Sequence, residues 1–195
     1  IDLKYALKVQ ELGADAVIAV NSVAGGHAGN ITPEELIPML KKELSIPIIS
    51  AGGVSNSDDI KRMIDLGASA VSVGTVFIAS EEAGVSDDYK NALVQYGEKD
   101  IVRTTKMSGS ALTVINTPYV QTIGTEASFL EKLMHRNKWL KKYIKMFIAV
   151  RGLNKISNAA NKATYKTVWV AGPTIESIKA VEPLSVIIKR LVSGL

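Results

Sequence analysis

Apolar positions in the first seventy-five residues alternate between two patterns. Ala6, Leu7, Val9 and Leu12 fall on roughly one face of a helix over residues 4–12, and Gly13 marks its stop. The run Ala16-Val17-Ile18-Ala19-Val20 then reads as a strand buried on both faces. The order recurs. Thr32-Pro33-Glu34-Glu35 opens a second helix, with Thr32 as its cap, Pro33 at the first helical position and Glu35 completing a capping box. Ile46-Pro47-Ile48-Ile49-Ser50 is the second strand. Asn56, Ser57, Asp58 and Asp59 favour another helix start, and Ile60, Met63, Ile64 and Leu66 supply its buried stripe. Gly67 ends that helix before a third strand, Ala70-Val71-Ser72-Val73.

The segments ELGADAVIAV and DLGASAVSVG are near repeats of one unit. Such alternation predicts parallel strands joined by helical crossovers, which fits both a barrel and an open doubly wound sheet. Beyond residue 80 the pattern changes. Residues 81–100 read as a helix-rich excursion ending at Tyr96-Gly97, and 101–125 as Thr/Val-rich and mostly irregular. Over 126–150, Leu130, Leu133, Met134, Leu140, Ile144, Phe147 and Ile148 recur at helical spacing. Val168-Trp169-Val170-Ala171-Gly172 suggests a further short strand, and a last helix is expected from Leu184 to Val192.

Composition removes several classes. The 195 residues are 47% hydrophobic and 22% charged, enough apolar material for a core. Cysteine is absent, which excludes a disulfide scaffold and thiolate metal sites and is compatible with a cytoplasmic location. No apolar run reaches the ~18–20 residues of a membrane span. The net charge of +4 is uneven: residues 126–166 hold ten Lys/Arg against two Glu, a net of +8, leaving −4 for the rest. A solvated helix face is the plain reading of that basic segment; attraction of anionic substrates, an acidic protein or an anionic membrane surface is the functional one. Nucleic acid is disfavoured because the few aromatics there form no stacking platform.

Candidate chemistry lies in the loops that follow the three strands. Ser50-Ala51-Gly52-Gly53 and Val73-Gly74-Thr75 end adjacent parallel strands, about 4.8 Å apart, at one edge of the sheet. Glycine leaves backbone N–H groups open to a ligand, and helices begin just beyond each turn, so the two loops together form a phosphate cradle. A phosphate held by the last loops is a recurring arrangement in (β/α)8 barrels. The first strand leads into Asn21-Ser22-Val23-Ala24-Gly25-Gly26-His27, placing His27 where such barrels carry catalytic groups. An imidazole titrates near neutral pH and can exchange protons there. With no second histidine or thiolate beside it, metal binding by His27 is not expected; His135 belongs to the basic segment. Neither Ser22 nor Ser108 sits in a nucleophile elbow.

Ala24-Gly25-Gly26-His27, Pro47-Ile48-Ile49-Ser50-Ala51-Gly52-Gly53 and Gly67-Ala68 with Gly74-Thr75, Phe77 and Ala79-Ser80-Glu81-Glu82 resemble the nitronate monooxygenase (2-nitropropane dioxygenase) family. The flavin-dependent enoyl-acyl-carrier-protein reductases share most of these motifs. The resemblance covers about residues 5–110 and resumes at Val168-Trp169 and Ala171-Gly172. It implies an α/β TIM (β/α)8 barrel that binds FMN and oxidises alkyl nitronates, such as propionate 3-nitronate or nitroalkane anions, with dioxygen to a carbonyl compound and nitrite. It implies that Ala24, Gly25, Gly26, Ala51, Gly52, Gly53, Gly74 and Thr75 hold FMN, with Gly52, Gly53, Gly74 and Thr75 on its phosphate. His27 is implied as the group that takes a substrate α-proton or binds the nitro group, and Ser108-Gly109 as an active-site loop. Three positions depart from the family pattern: Val23 stands in place of a common Glu, an Arg common shortly after the Ser-Gly pair is absent, with Leu112 nearby, and Pro173 stands in place of a common Gln. They bear on substrate contacts and on the monovalent-cation site of the reductase branch.

Such barrels need ~250 residues. The expectation is therefore a C-terminal part of one: residues 1–100 with its last three strands, 101–167 a loop and basic helical segment, and 168–195 packing back on the barrel. Upstream residues or a second chain would close it, and a homo-oligomer is a further option. Two other readings stand beside nitronate oxidation. NAD(P)H-dependent enoyl-acyl-carrier-protein reduction would give the basic segment an acidic carrier protein as partner. A noncatalytic phosphate-ligand binding barrel fragment would need only the cradle.

Overall fold

Helix starts are set by short polar side chains and the sheet by three buried runs. A computed structural model describes residues 1–105, 110–126 and 168–195, together with Met146 and Val150. Helix α1 (Leu3–Glu11) is capped by Asp2, whose carboxylate accepts from Tyr5 N. Strand β1 (Val17–Val20) follows, then α2 (Pro33–Glu43), β2 (Ile48–Ala51), α3 (Ser57–Asp65) and β3 (Ala70–Ser72). Asn56 caps α3 as its sequence predicts, accepting from Asp59 N. Thr32 does not cap α2 with its side chain, so the expected capping box is not formed; Pro33 at the start is enough to set the helical turn.

The strands lie in the order β1-β2-β3, all parallel, with Ile18 opposite Ile49 opposite Ala70 and Val20 opposite Ala51 opposite Ser72. One face is sealed: Ala19, Ile48 and Ser50 are buried, and Ala19 and Ile48 cluster with Ala6, Leu36 and Leu40. The other face differs from the expectation of full burial. Ile18 is 56% exposed, and Ser72 is exposed, because no described element covers that side.

The described residues after β3 form more regular structure than their sequence suggests. Helices α4 (Thr75–Ile78) and α5 (Asp87–Gln95) lead through a 3-10 turn, Glu98–Asp100, into β4 (Ile101–Thr104), β5 (Leu112–Ile115) and α6 (Pro118–Ile123). β4 and β5 pair antiparallel, so the expectation of mostly irregular chain over 101–125 is corrected. Ile101, Val102, Thr104, Thr113, Val114 and Ile115 are β-branched, which suits a pleated ladder. The run 168–172 forms a single bridge, Val170 to Val114, rather than a full strand. A 3-10 turn, Pro173–Ser177, precedes α7 (Leu184–Val192), the predicted last helix. Glu82 reaches across to α7 and accepts from Leu184 N at 2.8 Å.

The main core joins these parts: Ile37, Met63, Val76, Leu93, Ile115, Trp169, Ile175, Ile187 and Leu191 are buried together. Tyr89 stacks on Trp169 with ring centroids 6.0 Å apart. The helical spacing of 126–150, the +8 segment, and Ser108-Gly109 fall outside the described residues, Glu126, Met146 and Val150 apart.

Candidate active site

Three glycine-bearing loops meet at the carboxyl ends of β1, β2 and β3. They enclose a cavity of about 340 Å³. The first loop contributes Ala24, Gly25 and His27, the second Ala51, Gly52 and Gly53, and the third Gly74 and Thr75. Val170 and Thr174 close it from the C-terminal segment. Parallel pairing of β2 with β3 makes the two glycine turns neighbours, as the sequence predicts.

Backbone geometry explains why glycine is required at some of these positions. Gly52 has φ +107°, and a Cβ there would stand 2.5 Å from Asn21 Oδ1 and 2.7 Å from Ala24 N. Gly53 also lies in left-handed space, with φ +79°. Gly74 is a different case: a Cβ would meet nothing within 4 Å, so the loop borders open space. The N–H groups of Gly53 and Gly74 donate to no acceptor among the described residues. They are unspent donors on the wall of a cavity.

His27 is exposed on the same wall. Gly26, expected among the FMN-binding residues, does not line this cavity: it exchanges backbone bonds with Thr113, donating at 3.1 Å and accepting at 2.6 Å. It anchors the loop to β5 instead of lining the cavity. The Thr75 hydroxyl accepts from Gly172 N at 3.3 Å, joining the third loop to the C-terminal segment.

Some residues of the site are invisible to motif reading. Asn21 is fully buried; its Nδ2 donates to Gly52 O and its Oδ1 accepts from Val23 N, each at 3.0 Å. Arg62, on α3, pairs with Glu34 and donates from Nη2 to Gly53 O at 3.3 Å. The only local signal for Asn21 is a polar residue directly after a buried strand, where a carboxamide must find partners. Of the three departures from the family pattern, Val23 lines the cavity, Leu112 is buried in β5 and Pro173 starts the 3-10 turn.

Two titrating groups are perturbed nearby. Burial pushes the Tyr89 phenol well above its usual range, and its hydroxyl donates to Val170 O. The Glu176 carboxylate is held below the ordinary value by the Glu98 N–H it accepts from and by Lys179. Among the described residues, no group of three or more His, Asp or Glu could hold a metal ion, and no helix is long and apolar enough to cross a membrane.

Known proteins resemble this chain in sequence and in fold. The sequence profile of the nitronate monooxygenase family matches residues 2–194. A probable nitronate monooxygenase of Staphylococcus saprophyticus is 33% identical over 129 residues, 60% of this chain and 36% of that protein. A (3aS,4S,5R,7aS)-5-hydroxy-7a-methyl-1-oxo-octahydro-1H-indene-4-carboxyl-CoA dehydrogenase of Rhodococcus jostii is 32% identical over 120 residues, 62% of this chain and 34% of that protein. Among solved structures, FabK from Thermotoga maritima superimposes with a TM-score of 0.78 at 27% identity, over 97% of this chain and 57% of its own. Nitroalkane oxidase from Streptomyces ansochromogenes, at 24% identity, shares the fold with a TM-score of 0.71, over 98% of this chain and 55% of its own. The chain thus spans about a third of the length of these curated relatives, and its parallel β/α units are part of a TIM barrel. By the match along nearly its whole length, the chain belongs to the nitronate monooxygenase family.

Proposed function

We propose that this protein is an FMN-dependent oxidoreductase that oxidises alkyl nitronates with dioxygen, giving a carbonyl compound and nitrite. The observation that carries the proposal is the convergence, on one cavity, of the unspent N–H groups of Gly53 and Gly74 with the exposed imidazole of His27. The donor set suits a phosphate monoester: neutral amides in a glycine-lined recess, with the Thr75 hydroxyl beside them. Open space at Gly74 leaves room for that group. Gly52, Gly53, Gly74 and Thr75 would hold the phosphate, while Ala24, Gly25 and Ala51 let the ligand approach the wall closely.

FMN held there by the Gly52, Gly53, Gly74 and Thr75 loops would supply the electron-transfer chemistry between nitronate and dioxygen. The protein's own part is to position and to move a proton. His27 takes the α-proton of a neutral nitroalkane, or hydrogen-bonds the nitro group of a nitronate already formed. Val23, in place of a carboxylate, keeps that part of the cavity wall apolar.

Oxygen uptake by the purified, FMN-loaded full chain tests this reading, with propionate 3-nitronate and a nitroalkane anion as substrates and nitrite as the measured product. Uptake that depends on nitronate and yields nitrite is the expected result. Anaerobic bleaching of the flavin by NADH without nitronate would instead favour enoyl-acyl-carrier-protein reduction. Flavin binding with neither reaction would favour a noncatalytic ligand-binding role.

A further inference from the structure

Two side chains outside the glycine motif hold its two successive glycine carbonyls. Asn21 donates to Gly52 O and Arg62 donates to Gly53 O. In a trans peptide, a carbonyl and the N–H that follows it point in opposite directions. The Asn21 bond therefore leaves Gly53 N–H on the side away from Asn21, and the Arg62 bond does the same for Val54 N–H. Both N–H groups lack an acceptor among the described residues, and both residues line the 340 Å³ cavity. Successive unpaired N–H groups of this kind form an anion-binding concavity.

Glycines at positive φ are loose when nothing holds them. Here both holding side chains are themselves fixed. Asn21 is fully buried, its Oδ1 accepts from Val23 N, its backbone N–H donates to Ala51 O and its carbonyl accepts from Gly29 N. Arg62 is tied to Glu34 on α2 and lies 4.0 Å from Asp59. We infer that Asn21 and Arg62 are positioning residues for the phosphate grip: they turn the Gly53 and Val54 N–H groups toward the ligand and so favour a phosphorylated flavin over its unphosphorylated form. The inference rests on the FMN reading above, which assigns the cavity's ligand.

Titration of the full chain with FMN and with riboflavin, followed by flavin fluorescence, tests it in Asn21→Ala and Arg62→Gln. FMN affinity is expected to fall roughly tenfold in each variant, while riboflavin affinity changes by less than about twofold. An equal loss for both flavins would reduce the two residues to general structural roles, and no loss for either would also overturn the inference. If Asn21→Ala does not fold, the partly exposed Arg62 still carries the test. Should the unmodified chain bind neither flavin, the FMN reading fails by itself. Inorganic phosphate then decides the positioning role: shifts of the Gly53 and Val54 amide resonances, lost in both variants, support it, and no shift overturns it.

Discussion

Gly25 and Gly172 meet backbone to backbone. A Cβ on Gly25 would stand 2.8 Å from Gly172 N, and one on Gly172 would stand 2.9 Å from Gly25 N and 2.8 Å from Val23 O. The first loop and the C-terminal segment, nearly 150 positions apart in the chain, are therefore in contact with no side chain between them. β5 reinforces the junction: Gly26 bonds to Thr113, and Ile115 N donates to Trp169 O at 2.9 Å. The placement of His27 over the cavity depends on this joint, because His27 follows directly on Gly25 and Gly26.

Gly172→Ala is accordingly expected to destabilise the fold by about 2 kcal/mol, the ordinary cost of overpacking against backbone that cannot give way. Gly84→Ala supplies the control, since a Cβ there meets nothing within 4 Å and φ is not positive. It should change stability by less than about 0.5 kcal/mol. Urea unfolding of the two variants beside the parent checks the contrast; equal midpoints would show that the joint is not tight.

How much of this was legible in the sequence follows from the range of the interactions concerned. The β1, β2 and β3 runs and the glycines after them are local patterns, so the sheet and most of the cavity wall could be read directly. β4 and β5 are four residues each, and their pairing joins Ile101 to Ile115 across a connection with no helical or strand period. Their β-branched residues were the available signal. Asn21's grip on Gly52 spans 31 positions and exists only because β1 and β2 pair in one register. Gly26 shows the opposite case. Its motif neighbours line the cavity, but its pairing with Thr113 turns it elsewhere, and no spacing rule reports that.

The two glycine turns should respond differently to the same substitution. Gly52→Ala forces a side chain into left-handed backbone and against Asn21 Oδ1, and is expected to cost more than about 2 kcal/mol of stability. Gly74→Ala has φ −127° and open space, so the fold should tolerate it within about 0.5 kcal/mol. The added methyl would nevertheless sit on the cavity wall and weaken FMN binding. Thermal melts paired with flavin titrations separate the two effects; a Gly74→Ala variant that binds FMN normally would remove that loop from the phosphate grip.

His27 is the one imidazole on the cavity wall among the described residues, and its proposed work is proton removal. His27→Ala is expected to slow oxidation of a neutral nitroalkane by roughly 10²–10⁴-fold while sparing much of the activity on the preformed nitronate, whose proton is already gone. Steady-state kcat/KM for the two substrate forms gives the comparison. Full retention of activity on the neutral form would exclude His27 as the base.

Glu176 gives a pH-dependent prediction. Its carboxylate accepts from Glu98 N at 3.0 Å and from Lys179 Nζ at 3.3 Å, tying the 3-10 turn at Glu98–Asp100 to the one at Pro173–Ser177. Both contacts favour the ionised form, so the folded-state pKa lies below the ordinary value of 4.5. The unfolded chain then takes up its proton first as pH falls. The stabilising contribution is complete above the ordinary carboxylate pKa and disappears as pH drops through the depressed folded value. Glu176→Gln should therefore narrow its stability difference from the parent below pH 4.5 and hold that difference steady at neutral pH. The group is fully exposed, which keeps the effect small and sensitive to salt. Carboxyl-carbon NMR titration of Glu176 in the folded chain is the direct measurement. A midpoint at or above the ordinary value would show that the two turns are not held together through this side chain.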